Sequence, residues 1–112
     1  VEIKKWRAYL ADLNPRIGTE PGKVRPVVVV QTDLLNGVHP STVICPVTTN
    51  VQPGAKRLRV HLETGEAGLD RRSDILVDQI RAIDNRRLIR ELGDLSQESR
   101  RTLTKNIEVL LT

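Results

Sequence analysis

The sequence predicts a mainly β protein: a small, mostly antiparallel β-barrel carrying a short helical turn and one packed C-terminal α-helix. Three observations predict it. Up to about Asp84, apolar residues fall in short runs or alternate, with Gly- and Pro-bearing turns between them. Those runs are rich in β-branched residues, most of all the valines at 27–30. After Leu95 the apolar spacing becomes helical. The 112 residues suit one domain, 1–112, able to bury one core.

The elements follow in order. Arg7 to Leu13 is the first strand. Asn14 to Lys23, with Pro15, Gly18, Pro21 and Gly22, is a loop. Val24 to Gln31 is a buried strand, with Pro26 near its start because proline cannot donate to a ladder. Thr32 to Ser41 is a connection with an Asn36-Gly37 turn. Thr42 to Val47 is the next strand, and Pro46 implies an edge or a bulge near its end. Arg57 to Leu62 alternates, with Leu58, Val60 and Leu62 on one face and Arg57, Arg59 and His61 on the other. Ser73 to Ile83 is one longer strand, Asn85 to Leu88 a helical turn, and Ile89 to Leu92 a last short strand. Ser96 is the N-cap of the final helix, with Glu98 favourably placed in its first turn. Leu103, Ile107, Leu110 and Leu111 give that helix its apolar face.

Composition narrows the function. Apolar residues make up 38% and charged residues 29%, as in an ordinary soluble globule. No apolar run approaches the roughly 20 residues of a membrane span. The opening VEIKKWRAYL lacks the long apolar core of a secretory signal, so a cytoplasmic protein with no membrane partner is expected. The net charge of +4 permits an anionic partner such as nucleic acid. With no Phe, one Trp and one Tyr, stacking platforms for bases are not expected. The single cysteine, Cys45, sits in an apolar run and is expected in the core; neither it nor His39 and His61 make a metal cage.

No nucleophile elbow, phosphate-binding glycine loop or zinc-type histidine pair is present. What remains is GTEPGKVRPVVVVQTD, where an Arg-Pro pair opens an apolar strand. Arg25 there can project from a rigid strand end beneath a Gly-rich flap, and its planar fork suits phosphate oxygens. The strand ending CPVTTN delivers Thr48, Thr49 and Asn50 at its own exit. DQIRAID adds Gln79 and Arg81.

ADLNPRIGTEPGKVRPVVVVQTD, STVICPVTTN and DILVDQIRAID, in that order, resemble the MazF/PemK-type toxins, the ribonuclease half of bacterial toxin–antitoxin pairs. The resemblance runs from about Ala8 to the final helix. It implies an SH3-like β-barrel of the CcdB/MazF kind, working as a homodimer. It implies a sequence-specific endoribonuclease acting on single-stranded RNA without metal or cofactor. The family's cleavage pair falls on Arg25 and Thr48. Glu20 of the flap, Gln79 and Arg81 match positions that help hold RNA, and Thr19 and Thr49 are placed with them. The implied partners are RNA and a cognate antitoxin with an acidic, disordered segment. The chain departs from the family pattern at Trp6-Arg7, where a Gly and an acid are usual; Trp6 is expected to cover the barrel end.

RNA can be cleaved by its own 2′-OH, given charge stabilisation and proton transfer. Arg25 suits the first task and Thr48 can donate to a non-bridging oxygen. The products are a 2′,3′-cyclic phosphate and a 5′-OH. Three groups are candidate bases, Glu20, His39 and His61, and the residues do not choose among them. The competing readings are a non-enzymatic gyrase poison of the CcdB type and an RNA-binding module without turnover.

Overall fold

The described residues form seven antiparallel strands, the central two rich in β-branched residues: β1 (Arg7–Asp12), β2 (Val24–Val29), β3 (Ser41–Thr48), β4 (Arg59–Leu62), β5 (Ser73–Leu76), β6 (Arg81–Asp84) and β7 (Leu88–Asp94). One helix, α1 (Gln97–Leu111), follows. The computed structural model describes residues 1–15, 17–19 and 22–112. The hydrogen-bonded path runs β4-β5-β3-β2-β1-β7, with β6 also on β3, and does not close on itself. The barrel is completed by packing instead. A 3₁₀ turn at Glu66–Gly68 lies on β7, and α1 lies on β4.

Both faces of the central strands are buried. Val28, Cys45, Val47 and Ile75 point into a larger core that Leu103 of α1 completes. Val27, Val29, Ile44 and Ile83 point into a smaller one with Tyr9, Leu13 and Ile3. The single core expected from chain length is therefore split by the sheet, which is why the valine run has no polar face. Cys45 is fully buried, and burial together with the charge of Asp78 pushes its thiol up to about 12. It is an inert core residue, as expected.

The two strand prolines mark where ladders stop. The amide of Val30 donates to the carbonyl of Val43, so by alternation residues 26, 28 and 30 face β3, and 44, 46 and 48 face the opposite edge. β2 and β3 pair from Val29↔Ile44 to Val27↔Pro46 and no further. Pro26 is the next residue that would have to donate across, and it has no N–H. Pro46 faces β5 and β6 at the point where they part. Val47 pairs with Ile75 and Ile44 with Arg81, so residues 76–80 bulge out beside Cys45 and Pro46. The expected continuous strand Ser73 to Ile83 is thus two strands with a 3₁₀ turn, Val77–Gln79, between them. The bulge foreseen at Pro46 lies in the partner strand.

Other boundaries move by a residue or two, and β7 is longer than expected. Asn85–Arg87 is the expected turn. Ser96 caps α1, its hydroxyl accepting from the Ser99 amide at 3.2 Å, and the Glu66 carboxylate accepts from the Ser96 amide and hydroxyl at the positive end of the helix. The buried face of α1 is Ser99, Leu103 and Asn106. Leu110 and Leu111 are exposed, as is Leu58. Those three therefore leave the expected apolar faces, whereas Leu103 is buried and Ile107 packs against the larger core. Trp6 is half-buried against the larger core, and its amide and carbonyl bond to the carbonyl of Val29 and the amide of Leu95. It covers the barrel end. Arg7 is taken up by Glu91 and Asp94 of β7.

Gly68 is the tightest point of the barrel closure. Its φ is +72°, and an added Cβ would lie 2.0 Å from the Leu92 carbonyl oxygen, a backbone atom that cannot step aside. Gly18 also has positive φ, +57°, but open space around it. Gly68→Ala is expected to unfold the protein, or to lower its urea midpoint far more than Gly18→Ala, whose strain alone costs about 1 kcal/mol. Equal midpoints for the two variants would show that this contact does not close the barrel.

Candidate active site

The end of the β2–β3 ladder is where the polar residues converge. Extending the register Val27↔Pro46 by two residues sets Arg25 level with Thr48. Both side chains fall on the face of Val27, Val29 and Ile44, just past the core. Both are half-buried. With β2 and β3 no longer paired to each other there, the two residues stand level without a ladder between them.

Arg25 is held by its own flap: its Nε–H donates to the Gly22 carbonyl at 3.0 Å. The flap is clamped at its base. The Leu13 amide donates to the Lys23 carbonyl at 2.9 Å, and the Lys23 amide to Asn14 Oδ1 at 2.8 Å. Arg87 reaches from behind to the carbonyls of Asp12 and Asn14. Thr48 Oγ1 accepts from the Asn50 amide at 3.1 Å, which turns the chain and leaves the hydroxyl hydrogen available to donate.

The same register row continues beyond Thr48. Thr48 pairs with Asp74, and Asp74 with His61. Asp74 has no exposed surface. Its carboxylate accepts from the Gln52 amide at 2.9 Å and from Arg59 Nη1 at 3.1 Å. His61 Nδ1 lies 2.7 Å from the other oxygen, as donor to an ionised carboxylate. Burial alone would raise the pKa of Asp74; the bonds from Gln52, His61 and Arg59 outweigh it and hold it below the ordinary value.

The expected site residues are distributed as follows. Thr19 and Gln79 line one cavity of about 310 Å³ together with Gln52, Ala55, Leu58, Arg59, Leu76 and Asp78. Gln79 sits in the 3₁₀ turn, not mid-strand. Arg81 lies on the same face as Arg25 and Thr48 but level with Ile44, four residues up β3 from Thr48, or about 13 Å. Thr49 is exposed beyond the strand end. Glu20 lies outside the described residues. Of the two histidines, His39 precedes the opposite end of β3, more than about 20 Å along the strand from Thr48, where its carbonyl accepts from Asn85. Within one chain that distance keeps it away from Arg25 and Thr48. Sequence reasoning missed Arg59, Asp74 and Asp78. The available signal was Asp74 itself, a carboxylate inside the apolar run SDILV, which demands partners when buried.

Residues 4–111 match the family model described as PemK-like, MazF-like toxin of type II toxin-antitoxin system. Endoribonuclease EndoA of Bacillus subtilis is 33% identical, over 97% of this chain and 94% of its own length. The crystal structure of MazF from Deinococcus radiodurans superposes with a TM-score of 0.84 at 25% identity, covering 99% of this chain and 97% of that one. A MazE-MazF structure from the same organism gives a TM-score of 0.78 at 20% identity, covering 99% of this chain and 96% of that one.

Asp74 also ties stability to pH. A carboxylate depressed in the folded state stabilises it above the unfolded pKa and loses that contribution as pH falls through the folded one. Here the folded value lies below 3.8, so the loss falls in acid, from about pH 5 downward. Asp74→Asn is expected to lower stability at pH 7 and to flatten the decline below about pH 5 in urea titrations. An unchanged acid slope would contradict a depressed Asp74.

Proposed function

Because this chain belongs to the PemK-like, MazF-like toxin family of type II toxin–antitoxin systems, we propose that it is a sequence-specific, metal-independent endoribonuclease. Its substrate is single-stranded RNA, messenger RNA included, cut in the cytoplasm. The observation that carries the reading is the placement of Arg25 and Thr48 on one face, at one register level, where the β2–β3 ladder ends.

The cleavage is an internal transfer. The RNA 2′-oxygen forms a bond to the adjacent phosphorus as the bond to the 5′-oxygen breaks. The 2′-OH proton passes to solvent, and the departing 5′-oxygen takes one up. The ends are a 2′,3′-cyclic phosphate and a 5′-OH. Negative charge on the phosphoryl oxygens peaks between these states, and a fixed arginine fork is worth most there. The Gly22 carbonyl holds Nε of Arg25, so the guanidinium does not need to reorganise when that charge develops. Thr48 donates its hydroxyl hydrogen to a non-bridging oxygen. The apolar sheet leaves recognition to hydrogen bonds with splayed bases.

The curated relative is named an endoribonuclease over nearly its whole length, and nothing comparable supports the gyrase-poison alternative. The toxin role brings two partners: a second copy of the chain, and an antitoxin whose acidic, disordered segment covers Arg25 and blocks RNA.

Long single-stranded RNA incubated with the protein in EDTA is expected to be cut at one short motif, leaving 5′-OH ends. Arg25→Ala and Thr48→Ala should each lower kcat/KM by about a hundredfold or more, with Thr48→Ser largely retained. Uniform cutting, or full activity in Arg25→Ala, would refute the assignment. Sedimentation is expected to give twice the 12.6 kDa of one chain; a species of one chain at all concentrations would refute the homodimer.

A further inference from the structure

We propose that the cavity between the flap and the Val77–Gln79 turn is a guanine-reading pocket, in which Arg59 and Asp78 contact opposite edges of the base and Asp74 is the positioning residue behind Arg59. The inference rests on the ribonuclease reading and deepens it by assigning a base to the recognition sequence.

Arg59 presents a fixed fork. Its Nη1 donates to the Asn50 carbonyl at 2.6 Å and to Asp74 Oδ2 at 3.1 Å, which uses both hydrogens of that nitrogen. Nε and Nη2 bond to nothing else among the described residues. Among the described residues every side-chain nitrogen or oxygen shut off from solvent has a partner, so these two donors open to solvent, and Arg59 lines the cavity. The fork cannot swing, because its counter-ion is fully buried and held from two further directions by Gln52 and His61. Groups locked from behind read a ligand more selectively than mobile ones.

The remaining walls select the ligand. Ala55, Leu58 and Leu76 supply apolar surface for the faces of a ring, and about 310 Å³ accommodates one purine. Asp78 is exposed on the same cavity and forms no ion pair with Arg59, so an acceptor and a donor fork stand apart in one pocket. Guanine matches them on separate edges. Its O6 and N7 accept from a bidentate arginine, and its N1–H and N2 amino group donate to a carboxylate. Adenine would bring its N6 amino group against the fork. The pyrimidines carry donors and acceptors along one short edge and do not reach both groups. Gln79 and Thr19 lie beside the same cavity, which explains why the two belong to the site although neither is near Thr48 in register. Arg59 lies two strands from β3, about 10 Å across the sheet, so the base read is one flanking the cut.

The test uses wild-type protein and a randomised single-stranded RNA whose cleavage ends are sequenced. Guanine is expected at one fixed position beside the cut. Replacing that guanine by 7-deazaguanine or by inosine, in an otherwise unchanged RNA, should each lower kcat/KM about tenfold. Arg59→Lys and Asp74→Asn should relax the preference at that position alone, raising KM with the cut bond unchanged. Cleavage with no guanine preference at any flanking position, or indifference to both base analogues, overturns the inference and leaves the ribonuclease reading standing. No cleavage of any RNA by folded wild type overturns that reading, and the inference with it. If Asp74→Asn slows cleavage of all sequences equally, its role is structural and the positioning assignment fails.

Discussion

A proline has no amide hydrogen to give, and the architecture of this chain is arranged around two places where that matters. Pro26 stands where β2 would next have to donate to β3, and the ladder ends one residue earlier, at Val27↔Pro46. Pro46 directs its own missing donor at the other edge, and there β5 and β6 separate into the Val77–Gln79 turn. The ended ladder leaves Arg25 and Thr48 unpaired with each other, although Arg25 still pairs with Ala11 of β1 and Thr48 with Asp74 of β5, while the valines behind them stay locked in the core. The bulged turn brings Gln79 and Asp78 to a cavity instead of leaving them on a pleat. The Arg-Pro pair at the entrance of an apolar strand therefore has one explanation: the proline stops the sheet, and the arginine occupies the space where it stopped.

The second organising element is a buried charge. Asp74 sits in the same register row as Thr48 and His61, and a carboxylate without exposed surface must be hydrogen-bonded by its surroundings. It draws in Arg59 and His61 from β4 and the amide of Gln52 from the loop after β3. Those bonds add to the buried Val60 and Leu62 in holding the short edge strand, and they tie the loop after β3 to the sheet. They also set a guanidinium rigidly at the groove. One group thus serves stability and geometry at once, a common arrangement where a site is built on strands.

Much of this was legible in the residues. Alternation and β-branching locate the strands, because a strand buried on two faces has no use for polar residues. Ser96 announces the helix start, since its hydroxyl satisfies an otherwise orphaned amide. Arg25 and Thr48 stand out as polar residues at the ends of apolar runs. The helix's apolar face was only partly right: Leu103 and Ile107 pack on the core, while Leu110 and Leu111 keep the helical period but are exposed. Periodicity says which side faces inward and not how far the partner extends. Arg59 reads as part of the wet face of its strand and Asp78 does not stand out, because a short sequence window does not show that a turn and an edge strand share a cavity.

By itself, then, the sequence determined what depends on neighbours along the chain: strand propensity, the cap, the flap's turns, and the points where prolines forbid a hydrogen bond. It also carried the family, through motifs in a fixed order. Only the tertiary structure decided which ladder each proline ended, that residues 76–80 bulge away from β3, that Asp74 is buried with its partners around it, and that His39 lies at the far end of the sheet. These are pairings between residues distant in sequence. Their energies come from register and burial, and those exist only once the strands have met.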